Sequence, residues 1–348
     1  MPKNNAITIG DITVKPGERR SINLPLAAMY THTDVEMTVH VINGRQDGPK
    51  LFVSAAIHGD ELNGVEIIRR LLKQKQIDKL RGTLILIPIV NVYGFLAHSR
   101  YLPDGRDLNR SFPGSETSSL AGRVAHHFLQ QIVSHCTHGI DLHTGARHRS
   151  NLPQIRADLS DQTTRMLASA FGVPVIIDSK IRDGSLREAS REAGIPILLY
   201  EAGEALRFDE VSIRAGVRGV LNVMRQLDML SNKHKIKPVE RRPIISYRTS
   251  WVRAPHSGIL RRAVPLGART AIGTTLGVIS DPHGQRDDTV ISPAEGIVIG
   301  KTYLPLAHEG EALFHIAQYD DKTDSVFGAV EAFHDHFEPD LDQDIIEE

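Results

Sequence analysis

Three polar side chains directly follow an apolar run near residue 55. The stretch VSAAIHGDELNG, residues 53 to 64, places His58, Asp60 and Glu61 within four positions, and helical spacing of apolar residues begins just after it. Zinc in hydrolases is commonly held by two histidines and one carboxylate, with water in the open fourth position. The short gap between His58 and Glu61 lets both side chains reach one ion. The stretch therefore predicts either part of a metal site or a helix start with dipole-favoured acidic residues.

A candidate third ligand stands at the end of another strand-like run. The segment HGIDLHTG, residues 138 to 145, contains both Asp141 and His143. Asp141 lies two residues earlier on the same strand face, where its carboxylate is able to accept a hydrogen bond from a ligand imidazole and fix its tautomer. A lone strand-end histidine is more often structural than metal-binding. Together, however, His58, Glu61 and His143 at one sheet edge favour a metal site.

Two other segments contribute groups that could act on a substrate. The loop HSRYLPDGRDLNRSFPG, residues 98 to 114, contains guanidinium groups that could hold a carboxylate and polarise a carbonyl, although a solvated charged loop is the simpler alternative. The segment LLYEAGE places Glu201 at the end of a buried strand. A carboxylate beside a metal-activated water is a natural general base, and later a general acid. Glu204 is the rival for this role.

The elements that must position these groups alternate between strands and helices. Continuous apolar runs at 49–57, 82–91, 138–145 and 195–203 have the length of strands buried on both faces, and helical apolar spacing separates them. This alternation predicts βαβ units, a largely parallel sheet and helices on both faces. Ligands of such sheets lie outside the carboxyl ends of the strands. Strand-end residues therefore converge there: His58, Asn91, His143 and Glu201.

A second, smaller unit is expected after a polar, proline-containing stretch at 231–246. The segment from 245 to 330 consists of short β-type runs, and its two halves are similar, with Pro255 and Gly258 matching Pro293 and Gly296 at an offset of 38 residues. This half-motif resembles biotinyl and lipoyl carrier domains, but the hairpin SDPHGQRDDT has no lysine to modify. We therefore expect a catalytic domain at 1–235 with an N-terminal β segment at 1–48, a small all-β, barrel-sandwich-like domain at 245–330, and an acidic tail at 331–348.

Composition limits the classes of partner. The 348 residues are 41% apolar with a formal net charge of −1, so the chain supports a large core but predicts no nucleic-acid surface. A single cysteine, Cys136, excludes an internal disulfide and fits a reducing compartment. The N-terminus has no apolar signal core, and no run approaches the ~18 apolar residues of a membrane span. We expect a cytoplasmic protein without membrane contact. The sequence leaves homo-oligomerisation open.

The combined pattern resembles the succinylglutamate desuccinylase/aspartoacylase family, relatives of the zinc carboxypeptidases. The residues behind the resemblance occur in the family's order between 50 and 205: His58-Gly-Asp-Glu61, Arg100, Asp107-Leu-Asn109-Arg110, Asp141-Leu-His143 and Glu201. The combination is specific, although each member alone is weak. The resemblance implies a zinc-carboxypeptidase-like α/β fold, with a mostly parallel mixed sheet between helices and an appended β domain at 250–317.

The resemblance also implies a role for each site residue. His58, Glu61 and His143 would bind one Zn²⁺ per chain, and Glu201 would activate the water. Arg100 would polarise the scissile carbonyl and stabilise the oxyanion. Asn109 and Arg110 would bind a substrate carboxylate. A further substrate-binding arginine precedes the glutamate strand in the family; Arg191 and Arg187 are both candidates here, and Arg191 is preferred.

Three functions are compatible with this set. The first is a zinc-dependent amide hydrolase, a deacylase that removes an acyl group from a small-molecule N-acyl amino acid or a related small amine. The second is a metallocarboxypeptidase acting on peptide C-termini, which needs the same metal and base but an open groove. The third is a non-catalytic binding protein on this scaffold, which the intact set and Glu201 disfavour. The identity of the acyl group and of the amino acid is not encoded in these motifs.

Overall fold

The computed structural model describes residues 2–231, 242–319 and 328–337. The domain boundary expected between 235 and 245 lies largely outside these residues. In the first part, the strands are β1 (Ile7–Ile9), β2 (Ile12–Val14), β3 (Arg19–Pro25), β4 (Glu36–Asn43), β5 (Gln46–Ala55), β6 (Arg81–Ile87), β7 (His138–Gly145), β8 (Arg149–Ala157), β9 (Val175–Asp178) and β10 (Ile197–Glu204). The helices there are α1 (Asn63–Leu72), α2 (Val92–Leu96), α3 (Leu120–Gln131), α4 (Gln162–Phe171), α5 (Leu186–Glu192) and α6 (Glu210–Gln226).

The C-terminal part is built from short strands and one helix. These are β11 (Ile244–Ser246), β12 (Arg248–Arg253), β13 (Gly258–Arg261), β14 (Arg269–Thr270), β15 (Thr275–Ser280), β16 (Asp287–Ile291), β17 (Gly296–Thr302), β18 (Leu306–Ala307), β19 (Ala312–Gln318) and α7 (Ala329–Phe337). None of the helices in the described ranges is both long and apolar enough to cross a bilayer.

The centre of the molecule is a parallel sheet, as the apolar runs predict. Strands β6, β5, β7 and β10 lie side by side and pair in parallel. Antiparallel strands extend this centre on both sides, with β4 and β3 beyond β6 and β8 beyond β10. The sheet is therefore mixed. Because the central four strands run in the same direction, their carboxyl ends meet at one edge.

Helices cover both faces of this sheet, each through an apolar stripe. On one face α1, α4 and α6 bury residues such as Ile67, Phe171 and Val220 against the strands. On the other face α3 and α5 bury Phe128 and Leu186, together with the N-terminal strands. Burial of apolar surface contributes roughly 25 cal/mol per Å². The two layers therefore hold the central strands, and the carboxyl edge that they share, in a fixed position.

The C-terminal strands divide between two sheets. Strand β17 pairs antiparallel with β8, and β19 and β12 continue outward from β17, so they extend the central sheet. Strands β13, β15, β16 and β18 form a separate four-stranded sheet that packs with them around an apolar cluster. The described C-terminal strands are thus joined to the first part by main-chain hydrogen bonds.

The acidic-tail interpretation of 331–348 is wrong for residues 331–337. These residues belong to α7, whose Phe333 and Phe337 are buried against Ala215 of α6. The guanidinium of Arg218 lies 5.4 Å from the centre of the Phe337 ring. Aromatic side chains within an acidic stretch therefore fix this helix on the core. The rest of the expected tail, 338–348, lies outside the described residues.

The packing of α7 predicts a cost for removing its central ring. Phe333 is fully buried, so Phe333→Ala should lower the free energy of unfolding by about 3 kcal/mol through the lost transfer energy and the cavity left behind. Chemical denaturation measures the change. Phe208→Ala is the matched control, because that ring is 67% exposed and its removal should change stability by less than about 0.5 kcal/mol. Equal effects of the two variants would contradict the packing described here.

Candidate metal centre and its pocket

Two imidazoles converge on one carboxylate at the carboxyl edge of the sheet. The Nδ1 atom of His58 lies 2.7 Å from Oε1 of Glu61, and the Nδ1 atom of His143 lies 2.8 Å from Oε2 of the same residue. The two rings are 5.0 Å apart, and all three side chains are buried. Among the residues with described positions, these three form the one group whose ligand atoms are close enough to hold a metal ion. The structure therefore brings together the three residues predicted from the sequence, His58, Glu61 and His143, which are called the trio below.

Each imidazole is also held from its far side. The Nε2 atom of His143 lies 2.7 Å from Asp141, whose other carboxylate oxygen accepts a hydrogen bond from the Ser54 hydroxyl at 2.8 Å. The Nε2 atom of His58 lies 3.1 Å from Asp107. Carboxylates on the second ring nitrogen fix the orientation of metal-ligating histidines and raise their basicity. The expected role of Asp141 is confirmed in geometry, and the donor set fits a divalent ion such as zinc.

The charged neighbours of the trio shift the pKa values of all three residues. Burial alone would lower the pKa of His58, but Glu61 and Asp107 outweigh it and raise that pKa. The pKa of His143 is raised well above its usual value, since Asp141 and Glu61 outweigh the effect of burial. Burial would raise the pKa of Glu61, but the two imidazoles hold it well below its usual range. The protonated form of each histidine is therefore favoured over that of a free imidazole, and a metal ion would compete with this proton.

The turn after β5 brings His58 and Glu61 into place. Ala56 has a φ of 51°, a left-handed conformation that costs a non-glycine residue free energy and redirects the chain as it leaves the sheet. Gly59 then passes so close to α2 that an added Cβ would lie 2.0 Å from the carbonyl carbon of Gly94. Only glycine fits at that point. Helix α1 follows at once, so the turn between the two elements is held rigidly.

Glu201 lies beside the trio on the neighbouring strand. In the parallel pairing of β10 with β7, the Cα of Glu201 is the partner of the Cα of His143, so the two side chains share one face of the sheet. The carboxylate of Glu201 forms an ion pair with Arg156 of β8. Glu204, the rival base, accepts a hydrogen bond from the backbone N–H of His148 and does not line the cavity that contains the trio.

A cavity of about 300 Å³ joins the trio to Glu201 and to a strongly cationic wall. Its cationic side chains are Arg100, Arg110, Arg149, Arg156, Lys180, Arg182 and Arg187. Carboxylates in the same wall are fewer, namely Glu61 and Glu201. Burial and the neighbouring Arg156 lower the pKa of Arg187 to about 10, which shows how closely the positive charges are packed. Such a wall attracts and orients anionic groups.

The predicted arginine loop reaches this cavity. Arg100 donates to Asp107 at 2.9 Å and lies 3.4 Å from Glu61, so its guanidinium stands next to the trio. The side-chain oxygen of Asn109 accepts a hydrogen bond from the N–H of Leu186 at 2.9 Å. This bond turns the Asn109 amide nitrogen away from α5. Arg110 lines the same cavity and donates to the carbonyl of Asn109.

Arg191 is not brought to the site. It is exposed on the last turn of α5 and lines a different cavity, of about 430 Å³, on the side of His138 and Asp158. Arg187, the other candidate, lines the cavity with the trio. The first turn of α5 begins beside Asn109. Arg191 lies four residues after Arg187, which corresponds to about 6 Å along a helix. That distance takes Arg191 away from the metal centre.

Several pocket residues had no sequence signal strong enough to predict them. Arg156 of the cavity wall lies on β8, a strand that the sequence analysis does not predict, although an arginine within the apolar run NLPQIRA is an indication in retrospect. Trp251 and His315 come from β12 and β19 of the C-terminal part, where their rings stack at 4.2 Å. No local sequence pattern identifies Trp251 and His315 as cavity residues, because only the extension of the sheet brings their strands to the cavity.

Comparisons with known proteins agree with this geometry. A family model described as the succinylglutamate desuccinylase/aspartoacylase catalytic domain matches residues 47–227. Among curated proteins, the chain is 26% identical over 309 residues to an N-alpha-acetyl-L-2,4-diaminobutyric acid deacetylase of Halomonas elongata, a match that covers 85% of this chain and 90% of that protein.

Solved structures show the same fold. The product-bound ectoine utilization protein EutE (DoeB) from Ruegeria pomeroyi superposes with a TM-score of 0.78 and 22% identity, covering 91% of this chain and 99% of that one. A succinylglutamate desuccinylase/aspartoacylase from Rhodobacter sphaeroides gives a TM-score of 0.77 and 23% identity, covering 87% and 96%. At these identities the likeness concerns the fold, including the C-terminal β part that the family model does not reach.

The carboxylate behind His143 predicts a measurable effect on metal affinity. Asp141→Asn keeps the size of the side chain but weakens the hydrogen bond that orients the imidazole, and should reduce zinc affinity about 10- to 100-fold. A competition titration with a chelating dye measures the change. Asp158→Asn is the control, because Asp158 directly follows strand β8 of the same sheet but lies outside this cavity. Unchanged affinity in Asp141→Asn would contradict the orienting role.

The raised histidine pKa values predict that metal binding releases protons. Because the pKa values of His58 and His143 are raised in chelator-stripped protein, both imidazoles should be mainly protonated at pH 6, and each must lose its proton to bind a metal. Calorimetry in buffers of different ionisation enthalpy measures the protons released per ion. The number should fall, and the affinity should rise, as the pH increases through the raised pKa values. Binding without proton release at pH 6 would contradict this prediction.

Proposed function

The chain belongs to the succinylglutamate desuccinylase/aspartoacylase family, and on that premise we propose that it is a zinc-dependent amide hydrolase, a deacylase of N-acyl amino acids or related small amines. The proposal rests above all on one observation: the trio of His58, Glu61 and His143 lies beside Glu201 in a single cavity. The printed activity of the Halomonas elongata relative, removal of an acetyl group from an amino acid, supports the same reaction class.

The trio is suited to one zinc ion per chain. Two neutral imidazole nitrogens and one carboxylate are the ligands of many catalytic zinc sites. The fourth coordination position stays open for water or substrate. Zinc bound there supplies a Lewis acid that acidifies water and polarises a carbonyl oxygen. Asp107 and Asp141 hold the two rings so that their Nδ1 atoms point at the same place.

Glu201 is the group that moves the proton. Its carboxylate accepts a proton from the attacking water as the oxygen adds to the amide carbonyl, and then donates that proton to the departing nitrogen. The bond between carbonyl carbon and nitrogen breaks, giving a carboxylic acid and a free amine. The guanidinium of Arg100, beside Glu61, is placed to donate hydrogen bonds to the oxyanion that forms on the carbonyl oxygen.

The cavity wall is suited to a substrate that carries a carboxylate. Arg110 offers a planar pair of donors, and Asn109 has its amide nitrogen free because its oxygen is already bonded to α5. Arg187, rather than Arg191, supplies the further arginine. A carboxylate held by these groups would fix the amide between the trio and Glu201, and such orientation contributes much of the rate of an enzyme.

A metallocarboxypeptidase would need a groove that admits a long peptide. Here the side of the cavity away from β7 is walled by Trp251 and His315 of the C-terminal strands. A cavity of about 300 Å³ matches a small molecule better than a polypeptide. A panel of N-acetyl and N-succinyl amino acids, assayed beside peptides with free C-termini, separates the two activities.

Removal of the proposed base should stop turnover without loss of the metal. Glu201→Gln keeps the shape of the side chain but cannot take a proton, so kcat should fall about 10²- to 10⁴-fold on the best N-acyl amino acid of the panel. Metal content, measured by elemental analysis, should remain at one zinc per chain. Glu204→Gln, at the rival position, should retain most of the activity. Substantial turnover by Glu201→Gln would show that another group is the base.

A further inference from the structure

Strand β8 runs antiparallel beside β10 and presents two polar side chains to Glu201. In this pairing the Cα of Gln154 is the partner of the Cα of Glu201, and the Cα of Arg156 is the partner of the Cα of Leu199. Leu199 and Glu201 are two residues apart, so all four side chains point to the same face of the sheet. Gln154 is thus directly opposite Glu201, and Arg156 is its diagonal neighbour, within reach of a long side chain.

Both β8 side chains contact the same carboxylate oxygen. The Nε of Arg156 forms its ion pair with Oε2 of Glu201, and the amide nitrogen of Gln154 donates to Oε2 at 3.5 Å. Gln154 is fully buried, and its side-chain oxygen has no hydrogen-bond partner among the described residues. Burial of an unpaired amide oxygen costs free energy. The orientation of the Gln154 amide is therefore set by its nitrogen, which faces Glu201.

The other neighbour of Glu201 is the metal centre. His143 occupies the partner position on β7, on the opposite side of β10 from Gln154. Glu201 is therefore placed between two side chains of β8 and the trio, with Oε2 ion-paired to Arg156 and accepting a hydrogen bond from Gln154. The contacts to β8 leave Oε1 as the oxygen available on the side where the reaction occurs.

We propose that Arg156 and Gln154 are positioning residues that hold Oε2 of Glu201, so that Oε1 is the oxygen that takes the proton from water and returns it to the leaving nitrogen. This inference rests on the proposed amide hydrolysis and specifies how its base is oriented. A carboxylate fixed at one oxygen by donors on a rigid strand loses little further freedom when the reaction begins. Arg156 acts through Glu201 and does not itself touch the reacting atoms.

The kinetic test separates positioning from substrate binding. Arg156→Met should lower kcat 10- to 100-fold while KM stays within about threefold, because an interaction that serves the base is used in the transition state rather than in substrate binding. Arg156→Lys, which keeps a cation on a flexible stem but lacks the planar group, should recover part of the loss. Arg182→Met is the matched control, since Arg182 is a cavity cation with no ion pair to Glu201. Its effect should appear mainly in KM.

Two results would overturn the proposal. If Arg156→Met raises KM and leaves kcat unchanged, Arg156 is a substrate ligand. If Arg156→Met behaves like Arg182→Met in both constants, only the general positive charge matters. Melting temperature and zinc content, measured for each variant, identify a protein that has failed to fold. For such a case Gln154→Met, which removes the donor and nearly keeps the volume, should produce the same selective fall in kcat.

Crystal structures of wild type and Arg156→Met at equal zinc content provide a readout that does not depend on turnover. We expect Glu201 to have one orientation with Oε2 on β8 in the wild type, and to leave that orientation in the variant. An unchanged Glu201 in the variant would overturn the positioning role. If the wild type hydrolyses no N-acyl amino acid, the proposed function fails on that result, while the two crystal structures still decide the positioning of Glu201.

Discussion

The site depends on one buried carboxylate placed between two imidazoles. Glu61 meets both His58 and His143 through its two oxygens, in a position where water is largely excluded. Isolated charges at such depth are costly, so an arrangement of this kind persists only when every partner is supplied. Asp107, Asp141 and Ser54 supply the remaining partners. The result is a buried group in which each imidazole faces a carboxylate on both ring nitrogens, as a site for a divalent cation would require.

The sheet places this group and the base at a fixed separation. His143 and Glu201 stand at partner positions on adjacent parallel strands, and neighbouring strands in a sheet are about 4.8 Å apart. The turn after β5 brings the other two ligands from one strand further along. Because helices cover both faces, none of these strands can shift without loss of core packing. The relative position of the trio and Glu201, the proposed ligands and base, is thus a property of the core.

The change from parallel to antiparallel pairing at β8 has two consequences for the site. In this antiparallel pairing the second half of β8 lies opposite the segment of β10 from Leu199 to Glu201, which is how Gln154 and Arg156 reach Glu201. It also gives β17 an edge to pair with, and through β17 the C-terminal strands continue the sheet. Trp251 and His315 then wall the cavity. Burial and nearby guanidinium groups lower the pKa of His315 to about 3, so this wall is a neutral ring stack within a cationic surface.

Local sequence patterns predict the central parallel strands, the alternation with helices and the residues of the candidate metal centre. These follow from local signals: apolar runs of strand length, helical spacing, and polar residues placed directly after strands, as at His58, His143 and Glu201. Parallel strands end at one edge, so local position was enough to predict that these residues meet. The structure separates Glu201 from Glu204, since Glu201 is the partner of His143 and lines the cavity with the trio, whereas Glu204 does not line it.

Tertiary structure alone decided the rest of the pocket. The structure places Arg187, and not the preferred Arg191, in the cavity with the trio, because helical spacing alone does not state which turn of α5 lies over that cavity. Strand β8, with Arg156, pairs with β10 across 40 or more residues, and Trp251 and His315 arrive from still further along the chain. Pairing between such distant strands is selected by the packing of whole faces and by main-chain hydrogen bonds. A short window of sequence contains no information on which distant strands will pack and pair. The contacts of Arg156, Trp251 and His315 therefore appear only in the folded chain.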